Sequence, residues 1–341
     1  MKRMLNTLYV TTEGANVRKD GETVAVDIDG TTRARAPAHL LGQIVCFGQV
    51  TVSPACMAFA AEGGISIAFL GWSGKLLARV EGPQTGNVLL RRAQHRATAD
   101  PVLALPVARA VVAAKIGNQR AVLRRALRDY PDAKGAAAID VMQRRLADAA
   151  RHALSASDLD VLRGQEGEGA AAYWQVFPHL IRNPDFVFTG RNRRPPRDTM
   201  NAVLSFLYAL VALDARAACE AHGLDPQMGF LHRDRPGRMS LALDLMEEFR
   251  APLADRVALS LVNRRQLGPL DFEAQETGAV LLSETGRRTV LEAYQSRKRV
   301  ELRHGWFDET APLGLFPQLQ AQLLARHLRG EMDGYPAYLW G

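Results

Sequence analysis

A change of pattern at Gly82-Pro83-Gln84-Thr85-Gly86 divides this chain of 341 residues and limits what it can fold into. Before it, short apolar alternations are broken by turn residues, so the chain reads as strands. After it, Ala, Leu and Arg recur at helical spacing. The pattern predicts an α+β protein: a small β-sandwich-like domain over residues 1–82, a linker with a connecting helix over 83–101, and a larger all-α domain over 102–341. A chain of this length can bury two cores.

In the first domain, Leu5 to Thr11 is strand-like, Lys19-Asp20-Gly21-Glu22 is a hairpin turn, and Thr23 to Ile28 alternates before a second turn at Asp29-Gly30. Strand-like runs follow at Gln43 to Val52, Ile65 to Leu70 and Lys75 to Val80, with a short helix expected over Ser53 to Ala61. Helices are expected over residues 87–99, 102–129, 132–154, 286–294 and 317–329. Asp198 or Thr199 caps a further helix that is apolar almost all round and so belongs in a core. Its apolar run, Val203 to Leu213 interrupted by Ser205, is too short to span a bilayer, and no membrane association is expected. Cys46, Cys56 and Cys219 are widely spaced and form no CxxC pair, which reads as reduced, buried thiols in a cytoplasmic protein.

Chemistry-bearing residues crowd into residues 228–256. His232 lies in a segment broken by Pro236 and Gly237, and Ser240 is placed to cap a helix carrying Asp244 and Glu247. Three residues apart, these carboxylates share a helix face beside the apolar stripe of Leu241, Leu245 and Phe249. A carboxylate pair beside an imidazole suits a hard or borderline divalent ion such as Mg²⁺ or Mn²⁺. The same residues also describe an ion-paired helix face, and the metal reading lacks one ligand.

The net charge is +7, and the basic residues are mostly arginine, whose planar fork matches phosphate oxygens. Lys115, Asn118 and Gln119 form a polar cluster followed by Arg120, Arg124, Arg125 and Arg128, which reads equally as a solvated face or a phosphate-contacting one. Arg191, Arg193, Arg194 and Arg197, stiffened by Pro195 and Pro196, make an extended loop suited to clamping phosphate. Residues 163–174, Arg-Gly-Gln-Glu-Gly-Glu-Gly-Ala-Ala-Ala-Tyr-Trp, place glycines around Glu166 and Glu168 near an expected helix start. Each glycine in a helix costs up to about 1 kcal/mol relative to alanine, which points to a close approach by backbone or ligand. A first-turn acid complementing the helix dipole is the other reading of Glu166.

Three motifs stand in order: Gly164-Gln165-Glu166-Gly167 with Ala170, Ala171 and Tyr173; Arg191 to Arg197 with Asp198, Asn201, Ser205 and Tyr208; and Gly229-Phe230-Leu231-His232 with Asp244 to Arg250, Asp255 and Arg256. Together they resemble the integrase and endonuclease of CRISPR spacer acquisition, the first and universal member of the Cas proteins. The Leu5 to Val10 segment and the Tyr335-Pro336 tail look most like subtype I-C. The resemblance implies a Mg²⁺ or Mn²⁺ site at Glu166, His232 and Glu247, with Asp244 a further catalytic acid close to the metal. Position 169 is Gly where Ala is usual, and position 247 is Glu where some relatives have Asp. It also implies strand transfer onto double-stranded or branched DNA, dimers paired through the β-domain, and the second Cas protein as partner. Lys115, Arg191, Arg193, Arg194, Arg197, Arg233 and Arg238 are then the candidates for DNA contact.

A non-catalytic nucleic-acid-binding adaptor, with acids that only neutralise arginines, is the alternative. A metallohydrolase of small phosphorylated substrates is disfavoured: no GxxxxGK[ST] loop is present and the basic residues are spread too widely for one small ligand.

Overall fold

The computed structural model describes residues 6–82, 87–192 and 195–340, and the chain forms two compact units, Met1–Gly86 and Asn87–Gly341. The first contains β1 (Asn6–Val10), β2 (Asn16–Asp20), β3 (Thr23–Ile28), β4 (Thr31–Pro37), β5 (Leu41–Phe47), β6 (Thr51–Val52), α1 (Pro54–Glu62), β7 (Ser66–Leu70) and β8 (Leu76–Val80). They form two four-stranded sheets, ordered β1-β5-β7-β8 and β4-β3-β2-β6. The β3–β4 hairpin turns on Asp29 and Gly30, with φ of 50° and 74°, the paired left-handed residues whose twist matches the flanking strands. Val17, Val24 and Val26 of one sheet share a core with Ile44, Cys46 and Ile67 of the other, and Cys56 and Ala60 of α1 pack into it. Ser53 caps α1, its Oγ accepting from the Cys56 amide at 3.3 Å.

The second unit contains α2 (Val88–Ala99), α3 (Pro101–Asp129), α4 (Ala136–Leu154), α5 (Leu159–Val176), α6 (Thr199–Ala221), α7 (Ser240–Phe249), α8 (Arg256–Asn263), β9 (Phe272–Ala274), β10 (Val280–Leu282), α9 (Glu284–Lys298), β11 (Glu301–His304), β12 (Glu309–Pro312) and α10 (Phe316–Leu328). It is a helical domain that also holds two short antiparallel hairpins, β9–β10 and β11–β12, where the sequence pattern predicts helices alone. Strands of three or four residues are too short for a period of two to register.

α3 and α6 are long and apolar enough to cross a bilayer by length and composition, but 56% and 78% of their most apolar windows are buried within the protein. α6 is the core helix of this unit, capped by Asp198, whose Oδ1 accepts from the Asn201 amide at 2.7 Å. α7 passes into α8 through a π-helical turn, Arg250–Asp255, which contains Pro252. The wider turn accommodates a residue with no N–H without ending the helix.

Candidate active site

α5 begins earlier than its glycines suggest, at Leu159, with Asp158 accepting from the Asp160 and Val161 amides at 2.9 Å. Glu166 therefore sits two turns inside the helix rather than at its start. Gly169, one turn further on, explains the local composition. A Cβ there would lie 3.0 Å from the Ile116 side chain of α3, so the missing side chain lets α5 and α3 close together. Glu166 is on that same face, and its carboxylate accepts from the ammonium of Lys115, the neighbour of Ile116. Gly164 and Gly167 face open space.

Lys115 is 5% exposed and also reaches Glu247 of α7, Nζ to Oε2 at 2.9 Å. Arg250, one turn along, donates to both Glu247 oxygens at 2.7 and 3.0 Å. Burial would push the Glu247 carboxyl up, but Arg250, Lys115 and His232 outweigh it and hold it down at about 2. Thus α3, α5 and α7 bring two carboxylates onto one cation. Lys115, expected among the DNA-contacting residues, instead lies beneath them as their shared counter-ion.

His232 is placed by Asp244. The Asp244 carboxylate, 1% exposed, accepts from the amides of Phe230, Leu231 and His232 at 2.6, 3.0 and 3.1 Å, and meets His232 Nδ1 at 2.6 Å. Carboxylate oxygens accept, so Nδ1 carries a proton, and in the neutral ring Nε2 has the lone pair. Gly229 is required here, since a Cβ would come within 2.8 Å of Asp244 Oδ2 and 2.7 Å of Ser240. Ser240 does not cap α7. It lies in the first turn, and its hydroxyl donates to the Arg233 carbonyl at 3.3 Å, while no side chain caps the helix.

Behind this cluster is a buried constellation; of its members, sequence reasoning gave a role only to Arg191, as a DNA contact. Asp255, on the π-turn, accepts from Tyr173 and Tyr208 hydroxyls at 2.9 and 2.6 Å, and burial pushes its carboxyl up. The guanidiniums of Arg250 and Arg191 lie over the Tyr208 ring at 4.2 and 5.2 Å. Arg191 also donates to Asn201 Oδ1 at 2.6 Å and to Ser205 Oγ at 3.1 Å, which docks its loop on α6. The position of Arg250 at i+3 from Glu247 was a readable signal for the pairing.

The remaining arginines lie further out. Arg193 and Arg194 are outside the described residues. Arg197 is exposed, and Arg238 is half-buried. Arg233 is exposed and donates to Asp160 at 2.8 Å, while Arg163 donates to the Leu231 carbonyl at 3.0 Å, tying the His232 loop to the start of α5. Among the described residues no group of three or more His, Cys, Asp or Glu side chains lies close enough to hold a metal ion as they stand.

Residues 8–296 match the family described as CRISPR associated protein Cas1. The chain is 54% identical to the CRISPR-associated endonuclease Cas1 2 of Rhodospirillum rubrum, over 100% of both chains. In fold it is similar to a casposase bound to integration product, with a TM-score of 0.85 and 21% identity over 99% of this chain and 95% of that one. It is also similar to a chain of a Cas6-RT-Cas1–Cas2 complex, with a TM-score of 0.79 and 22% identity over 100% of this chain and 36% of that one. These likenesses, together with the mixed β and helical architecture, mean that the chain belongs to the CRISPR-associated Cas1 family.

Proposed function

We propose that this enzyme joins a short DNA to a repeat by transesterification, and cuts DNA when water replaces the attacking hydroxyl. The observation that carries the reading is the convergence of Glu166 and Glu247, from α5 and α7, on one positive charge beside an imidazole oriented by Asp244. Drawn closer together, Glu166, Glu247 and Nε2 of His232 would supply an O, O, N donor set that suits Mg²⁺ or Mn²⁺. That the two carboxylates already share the Lys115 ammonium supports the fit, since a cation is accommodated between them. Held by these three residues, the ion would supply positive charge to the oxygens of the scissile phosphate.

The chain's own residues do the rest. Arg250 holds Glu247 ionised and in place, and Asp244 fixes the ring of His232. In the exchange, a 3′-hydroxyl forms a new phosphorus–oxygen bond as the old one breaks, and its proton ends on the departing oxygen. One phosphodiester replaces another, so no external energy source is required. Arg191, Arg193, Arg194, Arg197, Arg233 and Arg238 are the residues we assign to the DNA backbone, where they would position the duplex without reading its sequence. Dimers through residues 1–82 and assembly with the second Cas protein belong to the same reading, as does subtype I-C. The likeness to a chain of a complex named for Cas1 and Cas2 supports the partner. A cytoplasmic setting fits the free, buried cysteines, of which Cys46 is pushed up to about 12 by burial and by the neighbouring Cys56.

A branched DNA mimicking a half-integrated intermediate, incubated with Mn²⁺ or EDTA, tests this. Branch resolution should require both metal and the wild-type chain, and Glu166→Ala or His232→Ala should abolish it while leaving the fold intact. Activity retained in a purified Glu166→Ala protein would refute the site. The adaptor reading draws on Lys115 and Arg250, which neutralise the same carboxylates; it expects DNA binding indifferent to Mn²⁺ and no strand product.

A further inference from the structure

Residues 331–340 run back over the helical domain and end behind the carboxylate cluster. Glu248, the neighbour of Glu247 on α7, points away from the site and is fully buried. Its carboxylate accepts from the Tyr335 hydroxyl, from the Tyr338 amide at 2.6 Å and from Gln320 Nε2 at 2.9 Å. On α3, Asn118 stands one turn from Lys115 and is also fully buried. Its Nδ2 donates to the Glu248 carbonyl at 2.7 Å and to the Tyr338 carbonyl at 2.9 Å, while its Oδ1 accepts from the Trp340 amide at 2.7 Å. Gln320 of α10 closes the ring, donating to the Tyr335 hydroxyl at 2.9 Å and the Pro336 carbonyl at 3.0 Å. The Tyr338 ring stacks on Phe249 at 5.6 Å.

We infer that this segment is a positioning strap for the reaction: through Tyr335 it ties α7 to α10, through Tyr338 it ties α7 to Asn118 of α3, and so it sets Glu247 against Lys115 and Glu166. The inference rests on the proposed strand-transfer site. Physically, one amide, Asn118, joins α3 directly to α7 and both to the strap, so a tail that touches no reacting group braces the separation of α3 and α7. Without the Tyr335 hydroxyl, Glu248 and Gln320 each lose a buried partner. α7 is then free to shift, and a displacement of about 1 Å at a catalytic carboxylate costs up to about a hundredfold in rate.

Tyr335→Phe in the full-length chain removes one hydroxyl and keeps the ring. Strand transfer on the branched DNA, with Mn²⁺ and with rates referred to folded protein, should show kcat lowered about tenfold and an unchanged KM for DNA. Amide deuterium exchange should quicken over residues 244–249 and 113–119. A loss of stability alone would not lower kcat per folded molecule. Unchanged kcat and unchanged exchange in Tyr335→Phe would overturn the strap. If the wild type itself transfers no strand, the proposed function fails separately and exchange alone decides: faster exchange over α7 supports the strap, and unchanged exchange refutes it.

Discussion

Glu247 is ionised in a place where burial alone would keep it neutral. Its folded value, about 2, lies below the ordinary 4.5, so the stability it contributes is complete above pH 4.5 and is lost as pH falls from there toward 2. Urea unfolding at pH 3 and pH 6 should therefore show a pH-dependent loss that Glu247→Gln reduces by on the order of 2 kcal/mol. Equal losses in the two proteins would remove the ion-pair account. Lys115→Met leaves Glu166 without its cation and Glu247 with Arg250 alone, and should lower stability in EDTA by about 2–4 kcal/mol. Mn²⁺ should then raise its melting temperature more than that of the wild type; an identical response would argue against a cation site there. His232, Asp244 and Glu247 could be singled out from their crowding in one stretch, and Glu166 entered through the family resemblance. The role of Lys115 was illegible, because its partners lie 51 and 132 residues away, at Glu166 and Glu247, and no local pattern joins them.

Helix α5 shows what a composition signal can and cannot disclose. Its glycines announced a close approach, and Gly169 against Ile116 is that approach, but the helix start was misplaced because Asp158 caps it well before the glycines begin. Gly169 and Gly164 should respond differently to substitution. Gly169→Leu drives a side chain into Ile116 and should destabilise by about 1–3 kcal/mol, carrying Glu166 away from Lys115 and abolishing strand transfer. Gly164→Ala meets open space and should stabilise by about 0.5–1 kcal/mol. Thermal melts of the two variants check both signs, and a stabilised Gly169→Leu would refute the packing argument. In the β-domain, the hairpin turns at residues 21–22 and 29–30 were readable because turn chemistry is local. The parallel pairing of β1 with β5 and β5 with β7 was not, since alternation identifies a strand without naming its neighbour.

For the molecule as a whole, the +7 charge makes DNA affinity a salt-sensitive quantity. Anisotropy with labelled duplex should show affinity falling about a hundredfold or more between 50 and 200 mM salt, and a shallow dependence would count against the arginines as backbone contacts. The change from strands to helices between β8 and α2 was legible because composition changes with secondary structure; the short hairpins inside the helical unit were not. The buried helix α6 also bears on how the protein is made. As the chain leaves the ribosome, α6 is followed closely by α7, but α10, which also packs against it, emerges much later. Until α10 is complete, more than a hundred residues later, the face of α6 that it will cover has only solvent, a chaperone or a membrane to meet. Closure of the helical domain is therefore a late event in translation, and strains short of chaperone capacity should accumulate this protein in aggregates before its β-domain shows any defect.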